Sequence, residues 1–498
     1  MSGLLQRRPE LLILILAGYF LLHFAVRLMI PNALELDEAE QILLSQWLAA
    51  GYNSQPPFYN WLQYGVTSLF GVSLFSLSIL KCTLLFLSYL FYWLAARLTL
   101  KGRDLATVAT LALLTIPQIA FEAQRDLSHT VATIFASSLF LYGFFRTLKA
   151  PSAVSYSITG MAVGFGLISK YNFALLPASA LLAVLFDAEM RKRLFDWRLA
   201  LTAAISIAII LPHATWFVDH MSLATGKTFD KMTGSGSDGL SAQISSGFLS
   251  LLTAILGFAG LTAFIFILMF GKSLWPALRA SNRWTPIVER MLILEIGAIV
   301  LLILFAGAES VRDRWLTPLL IILPLYLCMK LDAADVDPRR ALRVGVPVSA
   351  AIMAIVLLIL ATRAVWGPWI GDYQRLNIPY EAFAKELSEG IGGSPAVIVG
   401  QDPHLDGNMR LQMPNVPVIS LSYEDFQPAY QWDSRHPIVF VWRDGKGGPP
   451  SGFPDALQAW LDGKAGRHLT PETRVVSVPY IYGRPGDMYQ FAYAWVYP

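Results

Sequence analysis

The sequence predicts a polytopic α-helical membrane protein that ends in a small α/β domain. Three observations support this prediction. Of the 498 residues, 55% are hydrophobic and only 15% are charged, whereas a typical soluble protein has roughly 25% charged residues. Long apolar runs recur through residues 1–366, and residues 367–498 are polar and rich in proline and glycine. This composition excludes a soluble globular enzyme, a disordered chain and a fibrous chain.

The apolar runs predict about eleven transmembrane helices, because about 20 apolar residues span the hydrocarbon core. No small-residue cleavage site follows the first run, so we interpret it as a retained helix rather than a signal peptide. The runs lie near residues 11–30, 73–96, 104–120, 128–145, 154–170, 172–187, 200–218, 247–270, 291–307, 315–329 and 343–362.

Lysine and arginine are concentrated in alternate loops, which predicts that those loops and the N-terminus are cytoplasmic. The first outside loop, residues 31–72, has neither lysine nor arginine. An odd number of spans then places the C-terminal segment outside. Cys82 and Cys328 both lie in apolar runs, which argues against a disulfide framework or a thiolate metal site.

The C-terminal segment has short apolar runs separated by turn-forming residues. Runs at 396–400, 417–420 and 437–442 are typical of buried strands, and residues 380–387 are typical of a short helix. We therefore predict two domains, a transmembrane catalytic domain at 1–366 and an outer α/β domain at 367–498.

The first outside loop carries the acidic pair Asp37 and Glu38. Two amphipathic helices are predicted after it, one at Gln41–Gly51 and one following Gln55 and two prolines. Such helices beside an acidic pair form a floor at the bilayer surface, where a soluble head group and a lipid tail meet. An ordinary acidic loop with aromatic residues at the membrane surface explains the same pattern.

A second group of polar residues lies at the outer ends of the third and fourth spans. It contains Glu122, Arg125, Asp126 and His129. We expect His129 to follow Asp126 by one turn on the same helix face. A structural ion pair between Arg125 and Asp126, or a helix dipole that favours Asp126 at a helix start, is the alternative.

Basic residues also occur where the positive-inside trend disfavours them. Lys170 is near the outer end of the fifth span and Lys81 is in the outer third of the second. A lysine at that depth is costly unless it is paired or reaches the head groups, so such residues are functional candidates. Arg312 and Arg314 lie in a short outside loop, where their guanidinium groups are suited to binding phosphate.

Pairing of the two arginines with Glu309 and Asp313 is the structural alternative. Taken together, carboxylates and cations on one face match a transferase that uses a lipid-phosphate donor. A carboxylate takes the acceptor proton, and cations stabilise the leaving phosphate. No nucleotide-binding motif occurs. A polysaccharide polymerase or ligase is the second candidate, and a lipid-linked sugar transporter is the third, although two related halves are absent.

The order of these motifs resembles that of bacterial membrane glycosyltransferases of the GT-C class. The similar proteins are family 39 relatives, which include protein O-mannosyltransferases, the aminoarabinose transferase of lipid A and lipopolysaccharide galacturonic acid transferases. The resemblance covers residues 10–330. It rests on Leu36-Asp-Glu-Ala39, Gln55-Pro-Pro-Phe-Tyr-Asn-Trp61, Arg125-Asp126, Ser169-Lys-Tyr171 and Arg312-Asp-Arg-Trp-Leu-Thr-Pro318.

The resemblance implies a polyprenyl-phosphate sugar donor, inversion at the anomeric carbon, and transfer on the periplasmic face of the bacterial inner membrane. The acceptor it implies is lipid A or lipopolysaccharide, another lipid, or a protein. It implies catalytic roles for Asp37 as base, Glu38 and Asp126. It implies donor phosphate or lipid binding by Lys170, Arg312, Arg314, Lys81, Gln55 and Tyr59, and substrate binding by His129, Arg125, Tyr171 and Glu309.

One position departs from the resemblance. The aminoarabinose transferase has a phosphate-contacting lysine where this chain has Gln55. Phosphate binding is then expected to depend on the other cations, and the sugar is expected to differ. A uronic acid donor needs a cation for its carboxylate, and Lys227 and Lys231 lie in the glycine- and serine-rich segment Thr225–Gly239, predicted to be a flexible loop. A divalent metal near Asp37 and Asp126 remains open.

Overall fold

The computed structural model describes residues 2–233, 239–423 and 425–498, and residues 2, 4 and 227–231 are described by their backbone alone. The contacts divide the chain into two compact units. Unit 1 consists of Met1–Leu22, Ala50–Tyr59 and Lys81–Val356, and unit 2 consists of His23–Ala49, Asn60–Leu80 and Leu357–Pro498. The two-domain division at residue 366 stays a prediction.

The described residues are mostly helical. The α-helices are Ser2–Arg7, Leu11–Met29, Leu36–Leu44, Phe58–Phe70, Leu74–Thr99, Arg103–Leu111, Ala123–Arg125, His129–Lys149, Ala153–Leu167, Leu175–Leu185, Leu199–Asp219, Met221–Thr233, Leu240–Phe270, Leu274–Ala277, Thr285–Phe305, Thr317–Leu320, Leu323–Ala333, Arg339–Trp369, Tyr380–Ile391, Pro403–Gln412 and Asp455–Ala465. Short 3-10 turns lie at Ala112–Thr115, Tyr171–Ala174, Arg191–Arg193, Gly271–Ser273, Asp313–Trp315 and Arg375–Asn377, and a π-turn lies at Gln118–Glu122.

Helix occurs at every predicted span, which confirms a multi-pass membrane protein. Among the described residues, six helices are long and apolar enough to cross a bilayer; they are Leu11–Met29, Leu74–Thr99, His129–Lys149, Leu199–Asp219, Leu240–Ala277 and Arg339–Trp369. A helix pair at Arg103–Thr115 and Gln118–Arg125, bent by 74°, is a seventh if it is counted as one span. The other predicted spans are shorter, broken or more polar helices, so the number eleven stays a prediction.

Close helix packing in unit 1 depends on small residues. Gly160 and Gly164 form a small-xxx-small stripe on helix Ala153–Leu167. A Cβ atom on Gly160 would lie 2.8 Å from the Thr202 carbonyl oxygen, and the Ser206 hydroxyl donates to the Gly160 carbonyl at 2.9 Å. Such stripes let membrane helices approach each other closely. Helix Ala153–Leu167, which packs here on helix Leu199–Asp219, ends just before the turn that contains Lys170.

Unit 2 contains a five-stranded mixed sheet. Its strands are β1 Val397–Gly400, β2 Val418–Ser420, β3 Ile438–Trp442, β4 Glu472–Pro479 and β5 Met488–Val496. Their order is β2-β1-β3-β5-β4, with β1 parallel to β2 and β3, and β5 antiparallel to β3 and β4. The strands predicted at 396–400, 417–420 and 437–442 are confirmed, as is the helix that begins at residue 380.

Helices cover both faces of the sheet, which explains why β1, β2 and β3 are buried throughout. Helix Asp455–Ala465 packs on one face, where Trp460 meets Phe440 of β3 edge to face. Helix Tyr380–Ile391 covers the other face, where Phe383 stacks on Phe491 of β5 with ring centroids 4.2 Å apart. Helix Pro403–Gln412 packs beside it, and we call it the docking helix.

Candidate active site

The acidic pair lies in the first turn of helix Leu36–Leu44, which we call the acidic helix. The amphipathic helix predicted at Gln41–Gly51 therefore begins earlier and ends earlier than expected. Leu43 and Leu44 of the acidic helix are each 1% exposed. The neighbouring Ile42 lies in one buried cluster with Leu77 and Leu411, so the helix packs within unit 2. The second predicted helix is confirmed at Phe58–Phe70.

The two acidic residues differ in their surroundings. Asp37 is partly exposed at the second position of the acidic helix, where the helix dipole favours a negative charge. Glu38 is 3% exposed and forms an ion pair with Arg27, with Oε2 and Nη2 2.8 Å apart. The carboxylate of Glu38 thus lies in a buried ion pair, whereas Asp37 is partly exposed.

Arg27, which was not among the predicted site residues, forms several buried hydrogen bonds in unit 2. Besides Glu38, its guanidinium donates to the carbonyl oxygens of Ala33 at 2.8 Å and Pro31 at 3.4 Å. One buried cation thereby ties the turn after the first transmembrane helix to the acidic helix. An arginine at the predicted outer end of a span was the signal available in the sequence, because it breaks the positive-inside pattern.

A second buried carboxylate precedes the acidic helix. Glu35 is 3% exposed, accepts a hydrogen bond from Arg363 and lies 3.8 Å from the Arg375 guanidinium. Buried charges of this kind require a paired cation. Glu35 and Glu38 thus anchor the residues on both sides of Asp37, and this limits the positions that the Asp37 backbone can occupy.

The docking helix contacts the acidic helix directly. The Asn408 side-chain oxygen accepts from the Leu34 amide at 2.9 Å, and His404 Nε2 donates to the Leu34 carbonyl at 2.7 Å. Burial, together with the positive charge of Arg443, lowers the pKa of His404 to about 4. The imidazole therefore stays neutral in the folded protein down to about pH 4. Folding stability is expected to fall as the pH drops below about 6.5, the ordinary pKa at which a histidine of the unfolded chain takes up a proton.

Gly407 sets the distance between these two helices. A Cβ atom on Gly407 would lie 2.1 Å from the Ala39 carbonyl oxygen and 2.8 Å from the Ala39 Cα atom. Both of these atoms belong to the backbone, so no rotamer change relieves the overlap. We expect Gly407→Ala to displace the acidic helix and to lower kcat by about 10–100-fold, because misplacement by about 1 Å has effects of that size.

The measurement for Gly407→Ala is steady-state kinetics together with thermal unfolding of the purified variant. Gly297→Ala is a matched control, because Gly297 also lies within a helix and has no atom within 4 Å of an added Cβ. The control should unfold at or above the wild-type temperature. Equal kcat values for the two variants would contradict a positioning role for this contact.

Two lysines in unit 1 approach the same short segment. Lys81 Nζ lies 3.4 Å from the Asp126 carbonyl oxygen and is 4% exposed. Lys170 Nζ donates to the Thr130 hydroxyl at 2.6 Å, one residue after His129. We call Lys81, Asp126, His129 and Lys170 the lysine cluster. The sequence predicted these four as candidates from separate spans, and unit 1 brings them together.

The proline-containing segment also reaches this cluster. The rings of Tyr59 and His129 lie 6.4 Å apart. The amide of Phe58 donates to the Ile168 carbonyl at 2.9 Å, and its ring stacks on Phe165 with centroids 4.6 Å apart. The start of helix Phe58–Phe70 is therefore fixed against the turn that carries Lys170. Tyr59 is 1% exposed and forms part of the wall of the cluster.

Two expectations for residues 122–129 were wrong. Asp126 does not begin a helix: it follows Ala123–Arg125, and the next helix begins at His129. The two residues are therefore not one turn apart on one helix face. Arg125 pairs with Glu122, with Nη2 and Oε2 2.9 Å apart, rather than with Asp126. The helix ends at Arg125 because Asp126, with φ −141° and ψ −46°, departs from helical geometry.

The loop that contains Arg312 and Arg314 is joined to the turn after Lys170 by a hydrogen bond from a side chain to a backbone carbonyl. The Asn172 side chain donates to the Trp315 carbonyl at 2.7 Å. Asp313 accepts a hydrogen bond from Gln118 at 2.6 Å. Arg312 and Arg314 form no ion pair with any described residue, so the predicted alternative of pairing with Asp313 is not seen there. Both guanidinium groups are at least partly exposed.

The remaining candidates lie apart from these contacts or outside the described side chains. Tyr171 bonds through its hydroxyl to His213 Nε2 at 3.1 Å, and Gln55 is partly exposed. The Glu309 amide donates to the Met232 carbonyl at 2.8 Å. Lys227 and Lys231 lie within helix Met221–Thr233 rather than in the predicted loop, and their side chains lie outside the described residues.

Among the described residues, no group of three or more His, Cys, Asp or Glu side chains is arranged to hold a metal ion. The structure therefore assigns no ligand set for the divalent ion that the sequence left open.

The chain is similar to known glycosyltransferases over nearly its whole length. Residues 54–216 match the dolichyl-phosphate-mannose-protein mannosyltransferase family. The lipopolysaccharide core galacturonosyltransferase RgtB of Rhizobium johnstonii is 50% identical over 482 residues, which cover 97% of this chain and 96% of that protein. RgtA of the same organism, with the same description, is 46% identical over 495 residues, covering 97% of each.

The fold is also similar to that of a solved enzyme. The crystal structure of ArnT from Cupriavidus metallidurans bound to undecaprenyl phosphate superposes with a TM-score of 0.60, covering 97% of both chains at 16% identity. The same protein in the apo state gives the same TM-score. At that identity the similarity establishes the fold, which is the GT-C architecture that the motif order predicted.

Proposed function

Because this chain belongs to the same membrane glycosyltransferase family as the lipopolysaccharide core galacturonosyltransferases, we propose that it transfers galacturonic acid to the lipopolysaccharide core. The donor in this proposal is a polyprenyl-phosphate sugar. The observation that carries the proposal is the identity of 50% and 46% to two full-length relatives that share this description. The ArnT structure with undecaprenyl phosphate supports a lipid-phosphate donor for the shared fold.

Asp37 is the proposed catalytic base. Its carboxylate takes the proton from an acceptor hydroxyl as that oxygen attacks the anomeric carbon. The bond between the anomeric carbon and the phosphate oxygen breaks on the opposite side, so the configuration inverts. Polyprenyl phosphate leaves with the bonding electron pair. Partial exposure and a rigid backbone, held by the buried Glu35 and Glu38 ion pairs, suit Asp37 to this role better than Glu38.

The proposed phosphate-binding groups are cations in unit 1. Lys81, from helix Leu74–Thr99, and Lys170, from the turn after helix Ala153–Leu167, approach the 126–130 segment, which concentrates positive charge there. Arg312 and Arg314 are without ion-pair partners among the described residues, so their charge is available to a phosphate. Cations so placed stabilise the negative charge that grows on the leaving group. Asp126 and His129 complete this proposed site.

The proposed location is the bacterial inner membrane, with the N-terminus in the cytoplasm and residues 367–498 in the periplasm. The distribution of lysine and arginine between alternate loops supports this orientation. The acceptor hydroxyl and the acidic helix would then both lie on the outer face.

Mass spectrometry of lipopolysaccharide tests the proposed function. We expect core oligosaccharide from a deletion strain to lack one or more hexuronic acid residues, and a plasmid copy of the gene to restore them. A changed chain-length distribution would instead support a polymerase. Unchanged core sugars, with the protein detected in the membrane of the complemented strain, would contradict the proposal.

A further inference from the structure

A cavity of about 610 Å³ opens in unit 2 between the end of β2 and helix Asp455–Ala465. Pockets of roughly 300–1,000 Å³ are typical of small-molecule sites. None of the catalytic or phosphate-binding candidates lines it. We call it the aromatic pocket, after the four rings in its wall; they are Tyr423, Phe426, Tyr430 and Trp460.

The helix that forms one side of the pocket has a face suited to a ligand. Ala456, Ala459 and Gly463 are small and recur at helical spacing, so they leave room beside the ring of Trp460. The opposite face carries buried Leu457 and Leu461, which pack on the sheet. Leu457 and Leu461 therefore supply the buried packing on the sheet, and Trp460 contacts both the sheet and the pocket.

Two polar side chains, Gln427 and Lys464, lie in the pocket wall together with the four aromatic rings. Lys464 is exposed, and its Nζ atom lies 5.1 Å from the centre of the Tyr430 ring. Within the described residues Lys464 forms no ion pair, and the Gln427 side chain forms no hydrogen bond. Aromatic faces pack against the C–H faces of sugar rings. An amide binds hydroxyl groups, and an ammonium group binds carboxylate or phosphate.

The pocket wall also contacts the segment that carries the proposed base. Trp47 stacks on Phe426, with ring centroids 4.5 Å apart, and meets Tyr423 edge to face at 6.4 Å. The Gln46 side chain both donates to the Val418 carbonyl and accepts from its amide, each at 2.9 Å. These contacts join β2 to the residues that follow the acidic helix.

We propose that the aromatic pocket binds a segment of the acceptor, an anionic oligosaccharide, away from the reacting hydroxyl. The proposal rests on the proposed function. Rings, amide and lysine together favour a glycan with carboxylate or phosphate groups over a peptide or a lipid chain. Acceptor binding by the C-terminal domain then brings the core sugars to the unit that carries Asp37.

The test is transfer kinetics with purified full-length protein in nanodiscs, with lipopolysaccharide from the deletion strain as acceptor. We expect Trp460→Ala to raise the acceptor KM about tenfold, with a smaller rise for Trp460→Phe, which keeps a ring. Lys464→Glu should raise the same KM and make it more sensitive to salt. The donor KM should change little in each case. Lys446→Ala, an exposed lysine elsewhere in the domain, is the control.

A binding measurement without sugar transfer tests the pocket independently of the proposed function. Core oligosaccharide freed of lipid is titrated against wild-type protein and against Lys464→Glu, whose exposed position avoids a folding defect. Weaker binding by the variant supports the pocket even if the sugar transferred is not galacturonic acid. Equal binding by both proteins, or an unchanged acceptor KM in Trp460→Ala and Lys464→Glu, would overturn the proposal.

Discussion

Replacement of Asp37 by asparagine is expected to lower the rate of sugar transfer by about 10²–10⁴-fold, the usual contribution of a general base. Asparagine has the same shape but cannot take a proton from the acceptor hydroxyl. Because Asp37 is partly exposed on the acidic helix, the change should alter packing little. The measurement is single-turnover transfer of a radiolabelled sugar to lipopolysaccharide by the purified enzyme.

Glu40→Gln is the matched control for Asp37→Asn. Glu40 lies on the same acidic helix, and its carboxylate accepts a hydrogen bond from Tyr423 at 2.6 Å, which an amide oxygen can also accept. Most of the wild-type rate should remain in this variant. Both variants should bind the donor with wild-type affinity. A similar small loss in both would show that Asp37 is not the base.

Many of the helices and the first three strands were predictable because each leaves a local pattern in the sequence. Apolar runs mark spans, and short apolar runs between turn residues mark β1 to β3, whereas β4 and β5 were not predicted. The order of short motifs was equally visible and predicted the GT-C fold. What these patterns share is that their members lie near one another along the chain.

The support of the acidic helix was not predictable, because its contacts join distant residues. Arg363 is 328 residues from Glu35, and Asn408 is 374 residues from Leu34. No periodicity connects such pairs. The same reason explains why the packing of the acidic helix was not predicted: Leu411, which lies in one buried cluster with Ile42, comes from a distant part of the chain.

The candidate site was predictable as a set of residues but not as an arrangement. Lys81, Asp126 and Lys170 stood out because charge is costly near a membrane. Arg125 pairs with Glu122 three residues earlier rather than with its neighbour Asp126, because the helix continues to Arg125 and ends there. Arg27 is visible in the sequence as an arginine in the first predicted span. Its role in pairing with Glu38 became apparent only because the structure shows Glu38 to be buried.

Removal of Arg27 is expected to destabilise unit 2 strongly. Arg27→Met removes the guanidinium that pairs with Glu38, which is 3% exposed. Breaking a buried ion pair by removing one partner costs about 3–5 kcal/mol, since the remaining charge is buried and uncompensated. The carbonyl groups of Pro31 and Ala33 also lose their donor. The unfolding temperature in detergent should fall by several degrees.

The double variant Arg27→Met with Glu38→Gln separates charge from packing. Replacing both partners of a buried pair is often neutral or stabilising, so much of the lost stability should return. Arg103→Met is the control, because its ion pair with Glu10 is 3.0 Å long but exposed and therefore worth at most about 1 kcal/mol. Transfer activity should follow the same order, because the acidic helix carries Asp37. A double variant as unstable as Arg27→Met alone would mean that the lost carbonyl contacts, rather than the buried charge of Glu38, set the cost.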